Sequence, residues 1–296
     1  PATHDWKKYG AVLQIPSGTT SMTIALEMYG PGTVWLDDVD AEFAPADTPL
    51  RPAVEMKEGD ADPLADVKDV PNIQATAGHD PDKKYFVIGP KAGSPKDSYK
   101  LLVILPGGDG SADFNPFIRR VWKNALSEDF IVAELVAPKW DPDQFNHIVW
   151  PTDAMRYDGM KFSTEQFVAD VVKDVSKKYK IDPKKVFAFG WSSGGPATYS
   201  AGLSEGPIKG SFIAMSVFHP NQLPPLIGGQ DKPFYILHSP DDQLIPLSQA
   251  QDAETELKKV GGKVKLVSYP GGHGFTAGAF EMIQAGIRWL DQQTSG

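Results

Sequence analysis

The stretch FGWSSGGPATYSAGLSEGP, residues 189–207, decides how this chain is read. It holds the pattern G-x-S-x-G twice, as Gly190-Trp191-Ser192-Ser193-Gly194 and as Gly202-Leu203-Ser204-Glu205-Gly206. The first match follows KKVFAFG, which reads as a strand, and precedes GPATYSAGL, which can become helical. A sharp strand-to-helix turn lifts a serine hydroxyl out of a sheet, and its close backbone approach demands small neighbours. Gly190, Gly194 and Gly195 meet that demand. Ser204 instead lies at the end of the helical segment, just before Pro207, where glycines terminate helices. Ser192 is therefore the expected nucleophile, Ser193 the better placed to offer a backbone N–H, and Ser204 a chance match. A plain structural turn is the competing reading of the first motif, so its partners carry weight.

Around this stretch, from residue 72 onward, strands and helices alternate. NIQATA (72–77) and KKYFVIGP (83–90) suggest a β-hairpin, while YKLLVILPGG (99–108) and DFIVAELVAP (129–138) are apolar throughout, as in a buried sheet. NPFIRRVWKNAL (115–126) reads as a helix. STEQFVADVVKDVSKKYK (163–180) sets Phe167, Val168, Val171, Val175 and Tyr179 at helical spacing, with Ser163 as N-cap and Gln166 at N3. GSFIAMSVF, KPFYILHS and KVKLVSYP continue as strands, and LSQAQDAETELKKVGG and AFEMIQAGIRWLDQQ as helices. This alternation implies an α/β domain over 72–296, a mostly parallel sheet covered on both faces.

The first 71 residues differ. Within residues 1–44, AVLQIP, SMTIALEMYG and GTVWLDDVDAEF read as β-strands separated by Pro, Ser and Gly turns. Residues 45–71, rich in Pro, Asp and Ala without periodicity, read as a linker. The segment GTVWLDDV (32–39) resembles the close of a galactose-binding-like β-sandwich of the carbohydrate-binding-module type. That resemblance would imply carbohydrate contact through residues 1–44; a plain β attachment is the competing reading. Asp37 and Asp38 read as a solvated strand end rather than a calcium site.

Composition narrows the partners. The chain has 296 residues, 41% hydrophobic and 23% charged, enough for a sizeable core without disulfide or metal support. It has no cysteine, which excludes disulfides and a cysteine nucleophile. A net charge of −9, from 29 Lys and Arg against 38 Asp and Glu, argues against nucleic acid or an anionic membrane as partner. No apolar run approaches the roughly 20 residues of a membrane span. The chain starts at Pro1 without a methionine, as a mature form or a fragment does, and a secreted or periplasmic bacterial location is the expectation, with the cytoplasm left open.

The partners of Ser192 lie on loops at strand ends. ILHSPDDQLIP (236–246) places Asp241 and Asp242 after one strand, and SYPGGHGF (268–275) places His273 after the last. The order serine, acid, histidine is that of α/β-hydrolases. His238 reads as a structural strand-end residue, and His4, His79, His147 and His219 have no strand-end loop or acid to recruit them. LPGGDG (105–110) is a glycine turn after an earlier strand, suited to offering a second N–H to an oxyanion.

GWSSGG, HSPDDQLIP and GGHGF together resemble the motifs of α/β-hydrolase serine esterases, over about residues 72–293. The similarity is greatest to the phospholipase/carboxylesterase branch, with its feruloyl-esterase and polyhydroxybutyrate-depolymerase-like relatives. The resemblance implies an α/β-hydrolase fold, and catalysis by Ser192, Asp242 and His273 with no metal or organic cofactor. In that family the middle motif reads H-G-x-x-D-x-x-V-P, which aligns its acid with Asp242; Ser239 replaces the glycine, and Asp241 is the fallback. The resemblance assigns the oxyanion hole to the N–H groups of Gly108 and Ser193, with Asp109 as the alternative to Gly108 and Pro106 where histidine is usual. Trp191, Trp150, Asp109 and Phe114 are the candidate substrate contacts, with Trp140 nearby. The expected substrate is a small or polymeric carboxylic ester, with feruloyl, acetyl and polyester groups as candidates. G-W-S-x-G-G also resembles prolyl-oligopeptidase-type peptidases, whose large propeller does not fit in some 70 residues. A non-catalytic binding protein on a hydrolase scaffold is the third reading.

Overall fold

The computed structural model describes residues 65–90, 97–141, 143–146, 148–275 and 278–295. The strands expected within 1–44, Asp37 and Asp38, His4, His147 and the spacer up to residue 64 lie outside the described residues. A compact unit spans Asp66–Gly296.

Eight strands build one sheet in this unit: β1 Asn72–Thr76, β2 Lys84–Ile88, β3 Tyr99–Leu105, β4 Phe130–Leu135, β5 Ile181–Trp191, β6 Gly210–Ala214, β7 Pro233–His238 and β8 Lys263–Ser268. Their order is β1-β2-β4-β3-β5-β6-β7-β8. The expected hairpin supplies the antiparallel edge, β1 on β2 and β2 on β4, and every later pairing is parallel. Parallel strands need crossovers, here carried by α1 Asn115–Ala125, α2 Thr164–Lys178, α3 Gly195–Leu203 and α4 Leu247–Lys259, and α5 Ala279–Gln293 follows the last strand.

Helices on both faces explain why β4, β6 and β7 are buried along their whole length. Along β3, Leu101, Val103 and Leu105 join Phe167, Val171 and Val175 of α2 in one core cluster. Phe234 and Ile236 of β7 meet Leu257 of α4 on the same side. The alternate residue Tyr235 faces α5 through Trp289, as the period of two requires. Ser163 caps α2 as expected, its Oγ accepting the N–H of Gln166 at 3.2 Å. The last residues of the stretch read as a spacer are docked on α1. Val67 and Val70 are buried, and Arg120 makes a two-pronged pair with Asp66 at 2.8 and 2.9 Å.

All six parallel strands point the same way, so the loops after β3, β5, β6, β7 and β8 gather at one edge. Open α/β sheets bind their ligands at this carboxyl edge.

Candidate active site

Ser192 closes β5 with φ of +50°, a left-handed conformation rare for a residue with a side chain. Such strain persists only where the surroundings over-determine it. Here they do. A Cβ on Gly190 would lie 2.1 Å from Thr198 Oγ1, and one on Gly194 would lie 2.1 Å from the Leu105 carbonyl oxygen. Strand and helix thus approach too closely for any side chain. Ser216, on the loop after β6, donates its hydroxyl to the Ser192 carbonyl at 2.9 Å. Sequence reasoning missed this support, because nothing local to Ser216 signals it. Ser204 sits far along, as the C-cap of α3.

The Ser192 hydroxyl meets His273 Nε2 at 2.9 Å, and His273 Nδ1 meets Asp242 Oδ2 at 2.8 Å. A carboxylate only accepts, so Nδ1 carries the proton and Nε2 is left to accept from the serine. Asp241, one residue earlier, is exposed, and the ring's Nδ1 is taken by Asp242. Asp242 is buried, its Oδ1 accepting the N–H groups of Leu244 and Ile245 at 2.9 and 2.8 Å. Burial alone would raise its pKa. The Ile245 N–H, the His273 ring and the Leu244 N–H outweigh that and hold the carboxyl below the usual aspartate range.

Two further side chains hold the histidine loop. Buried Ser239 accepts the N–H of Asp241 at 3.1 Å and of Gly272 at 3.0 Å. Tyr269 donates its hydroxyl to the Gly274 carbonyl at 2.7 Å, and its pKa is pushed up to about 12, mainly by burial. His238 is also buried beside the acid. Its Nε2–H donates to the Ile245 carbonyl at 2.9 Å, in keeping with the structural reading.

The turn after β3 closes with Gly110 N–H on the Gly107 carbonyl at 3.0 Å. Gly108 has φ of +58°, and its carbonyl accepts the Ser193 hydroxyl at 2.7 Å. Among the described residues, no intramolecular hydrogen bond uses the N–H of Gly108 or Ser193. Carbonyl and N–H of a trans peptide point in opposite directions, so the Asp109 N–H faces away from Ser193. The Asp109 carboxylate is engaged too, accepting Ser111 N–H at 2.9 Å and pairing with Lys139 at 3.2 Å.

Trp150, expected to face substrate, is corrected by its burial. Only 2% exposed, it lies behind the turn, its indole N–H donating to the Pro106 carbonyl at 2.9 Å. A Cβ on Gly110 would meet this ring at 3.0 Å, so the turn is packed directly on it. Trp140 packs edge-on against Phe162 at 4.8 Å. Trp191 is 6% exposed and packs edge-on against Phe114 at 5.4 Å and Phe275 at 5.9 Å. Half-buried Phe114 also lies against Gly108, 3.3 Å from where its Cβ would be. Phe275 follows His273 by two residues and went unnoticed in the sequence, where a lone aromatic in a glycine loop carries no signal. Among the described residues no three His, Asp or Glu side chains converge as a metal-binding group. No described helix is long and apolar enough to cross a membrane.

Sheet order, crossovers and an elbow at the end of β5 define an α/β-hydrolase fold, and solved structures agree. A thermostable esterase superposes with a TM-score of 0.56 over 76% of this chain and 63% of its own, at 19% identity. This chain therefore spans less than two thirds of that protein. A truncated carbohydrate esterase from gut microbiota gives 0.57 over 76% and 97%, at 14% identity. The acylaminoacyl peptidase of Pyrococcus horikoshii gives 0.53 over 71% and 39%, at 13% identity. Identities this low speak for the fold alone. Comparison with curated proteins found no match. The dienelactone hydrolase family, by contrast, matches residues 125–285, more than half of the chain. The chain belongs to the dienelactone hydrolase family.

Proposed function

We propose that this protein is a serine esterase that cleaves carboxylic esters through an acyl-enzyme on Ser192. The observation that carries the reading is the unbroken hydrogen-bond chain from Ser192 Oγ through the His273 ring to Asp242. His273 Nε2 takes the hydroxyl proton as Ser192 Oγ attacks the ester carbonyl, while Asp242 holds the tautomer and stabilises the imidazolium. The carbonyl oxygen becomes an oxyanion facing the N–H groups of Ser193 and Gly108. The imidazolium then returns its proton to the leaving alkoxide, and the alcohol departs. Water, deprotonated by His273, attacks the acyl-enzyme and releases the acid. The orientation of the 108–109 peptide favours Gly108 over Asp109 as the second donor.

The half-buried rings of Phe114 and Phe275, both in contact with Trp191, favour an aromatic acyl group of the feruloyl kind over acetyl. Aryl polyesters fit the same surface. The branch resemblance and the carbohydrate contact expected of residues 1–44 make a plant-polymer ester the substrate of choice, acted on by an exported enzyme. p-Nitrophenyl acetate, a feruloyl ester, a longer acyl ester and an aminoacyl-prolyl amide, each assayed with wild type and Ser192→Ala, test the reading. Ser192-dependent hydrolysis of esters is expected, fastest on the feruloyl ester. Hydrolysis of the amide alone would replace esterase by peptidase. Inertness to all four, without labelling by a fluorophosphonate, would leave a binding protein.

A further inference from the structure

His273 sits in a loop with three glycines close by, Gly271, Gly272 and Gly274, two of which have positive φ (+144° and +69°). Glycine-rich backbone is the most costly to order, so a histidine there needs external restraint. The restraint is bracketed around it. The residue before His273 is held through its N–H by Ser239 Oγ at 3.0 Å, and the residue after it through its carbonyl by Tyr269 Oη at 2.7 Å. Ser239 also accepts Asp241 N–H at 3.1 Å, immediately before the acid. One buried hydroxyl therefore ties the Asp242 loop to the His273 loop, at the point where they leave the neighbouring strands β7 and β8.

We propose that Ser239 is a positioning residue for His273, its hydroxyl setting the distance between histidine loop and acid loop, with Tyr269 as the second pin. This rests on the esterase reading for its kinetic consequence, though not for its geometric one. A glycine at position 239 could not accept either N–H. In this chain the hydroxyl supplies a cross-link between the two loops beside the His273–Asp242 pair itself.

The test is Ser239→Ala, read in two ways beside wild type and Ser192→Ala. Steady-state hydrolysis of the best ester separates kcat from KM. Proton NMR follows the downfield signal of the His273 Nδ1–H on Asp242, which needs no turnover. A displacement of catalytic groups by about 1 Å can cost about 10²-fold, so kcat should fall about 10- to 100-fold with KM within about twofold. The downfield signal should broaden or vanish in a protein whose circular dichroism is unchanged. Tyr269→Phe, which deletes only a hydroxyl, should repeat the pattern more weakly. If Ser239→Ala does not fold, Ser239→Gly is measured in its place against the same expectations. Folded variants with wild-type kcat and an intact downfield signal would overturn the proposal. A wild type inactive on esters but showing the signal, lost in the Ser239 variant, would sink the esterase reading and leave the positioning role standing.

Discussion

The hydroxyl of Ser193 donates to the carbonyl of Gly108 across 2.7 Å, joining the elbow after β5 to the turn after β3. The two N–H groups proposed to hold the oxyanion belong to these same two residues. A single side-chain bond thus sets the spacing between the two donors and turns the 108–109 peptide. Removing one oxyanion donor typically costs about 10²–10³ in rate. Ser193→Ala keeps both donors and loses only their alignment. A smaller fall in kcat, about tenfold, is expected, with a matching loss of affinity for a boronate transition-state analogue and little change in KM. Inhibition constants measured beside kcat check the match.

Ser192→Ala should abolish ester hydrolysis and fluorophosphonate labelling, while Ser204→Ala should leave both near wild type. Ser204 caps α3, and its carbonyl accepts Lys232 Nζ at 2.9 Å, a backbone contact that alanine preserves. Initial rates on p-nitrophenyl acetate decide it.

Asp242→Asn should lower kcat by about 10⁴, the scale seen when a triad acid can no longer hold the histidine tautomer. Asp241→Asn should change kcat less than twofold, since Asp241 is exposed and Asp242 is the carboxylate bonded to the ring. Reversal of the two effects would move the acid by one residue. Because the native Asp242 carboxyl is held below its ordinary range, it favours folding above the unfolded-state pKa. That contribution is lost as pH falls through the lower native value.

Glu134, in the middle of the sheet on β4, is fully buried, with one oxygen accepting Asn115 Nδ2 at 2.6 Å and the other without a partner. Burial pushes its pKa to about 8, despite the opposing Asn115 bond. Between the unfolded value of about 4.5 and about 8 the native state keeps a proton that the unfolded chain has lost. Stability then falls as pH rises through that window. Glu134→Gln has no such proton to lose, so its melting temperature should gain on wild type from pH 5 to 8 and hold the gain above. Parallel melting curves across the range would refute the burial account.

Much of this protein is legible in single stretches. Alternating and continuous apolar runs mark the hairpin and the buried strands. Helical spacing and Ser163 mark α2, and small residues after KKVFAFG single out Ser192 over Ser204. These signals are local, arising from the twofold and 3.6-fold periods and from the backbone freedom of glycine. The docking of Asp66–Pro71 on α1 is invisible at that level, because Val67 and Val70 in a Pro- and Asp-rich run look like spacer.

What only the tertiary structure decides is which groups meet. Asp241 and Asp242 are chemically identical neighbours, and the turn from Ser239 to Ile245 alone aims the second at the ring. Trp150 looks from its loop like a ligand contact, yet packing sends it behind the turn after β3. Ser193, Ser216, Ser239 and Tyr269 act across 85, 24, 33 and 5 residues of chain, from one strand-end loop to another or within the last of them. Side-chain periodicity records which face of its own strand a residue occupies. Strand order and parallel register, set by the packing of the whole sheet, bring the ends of distant strands within one hydrogen bond.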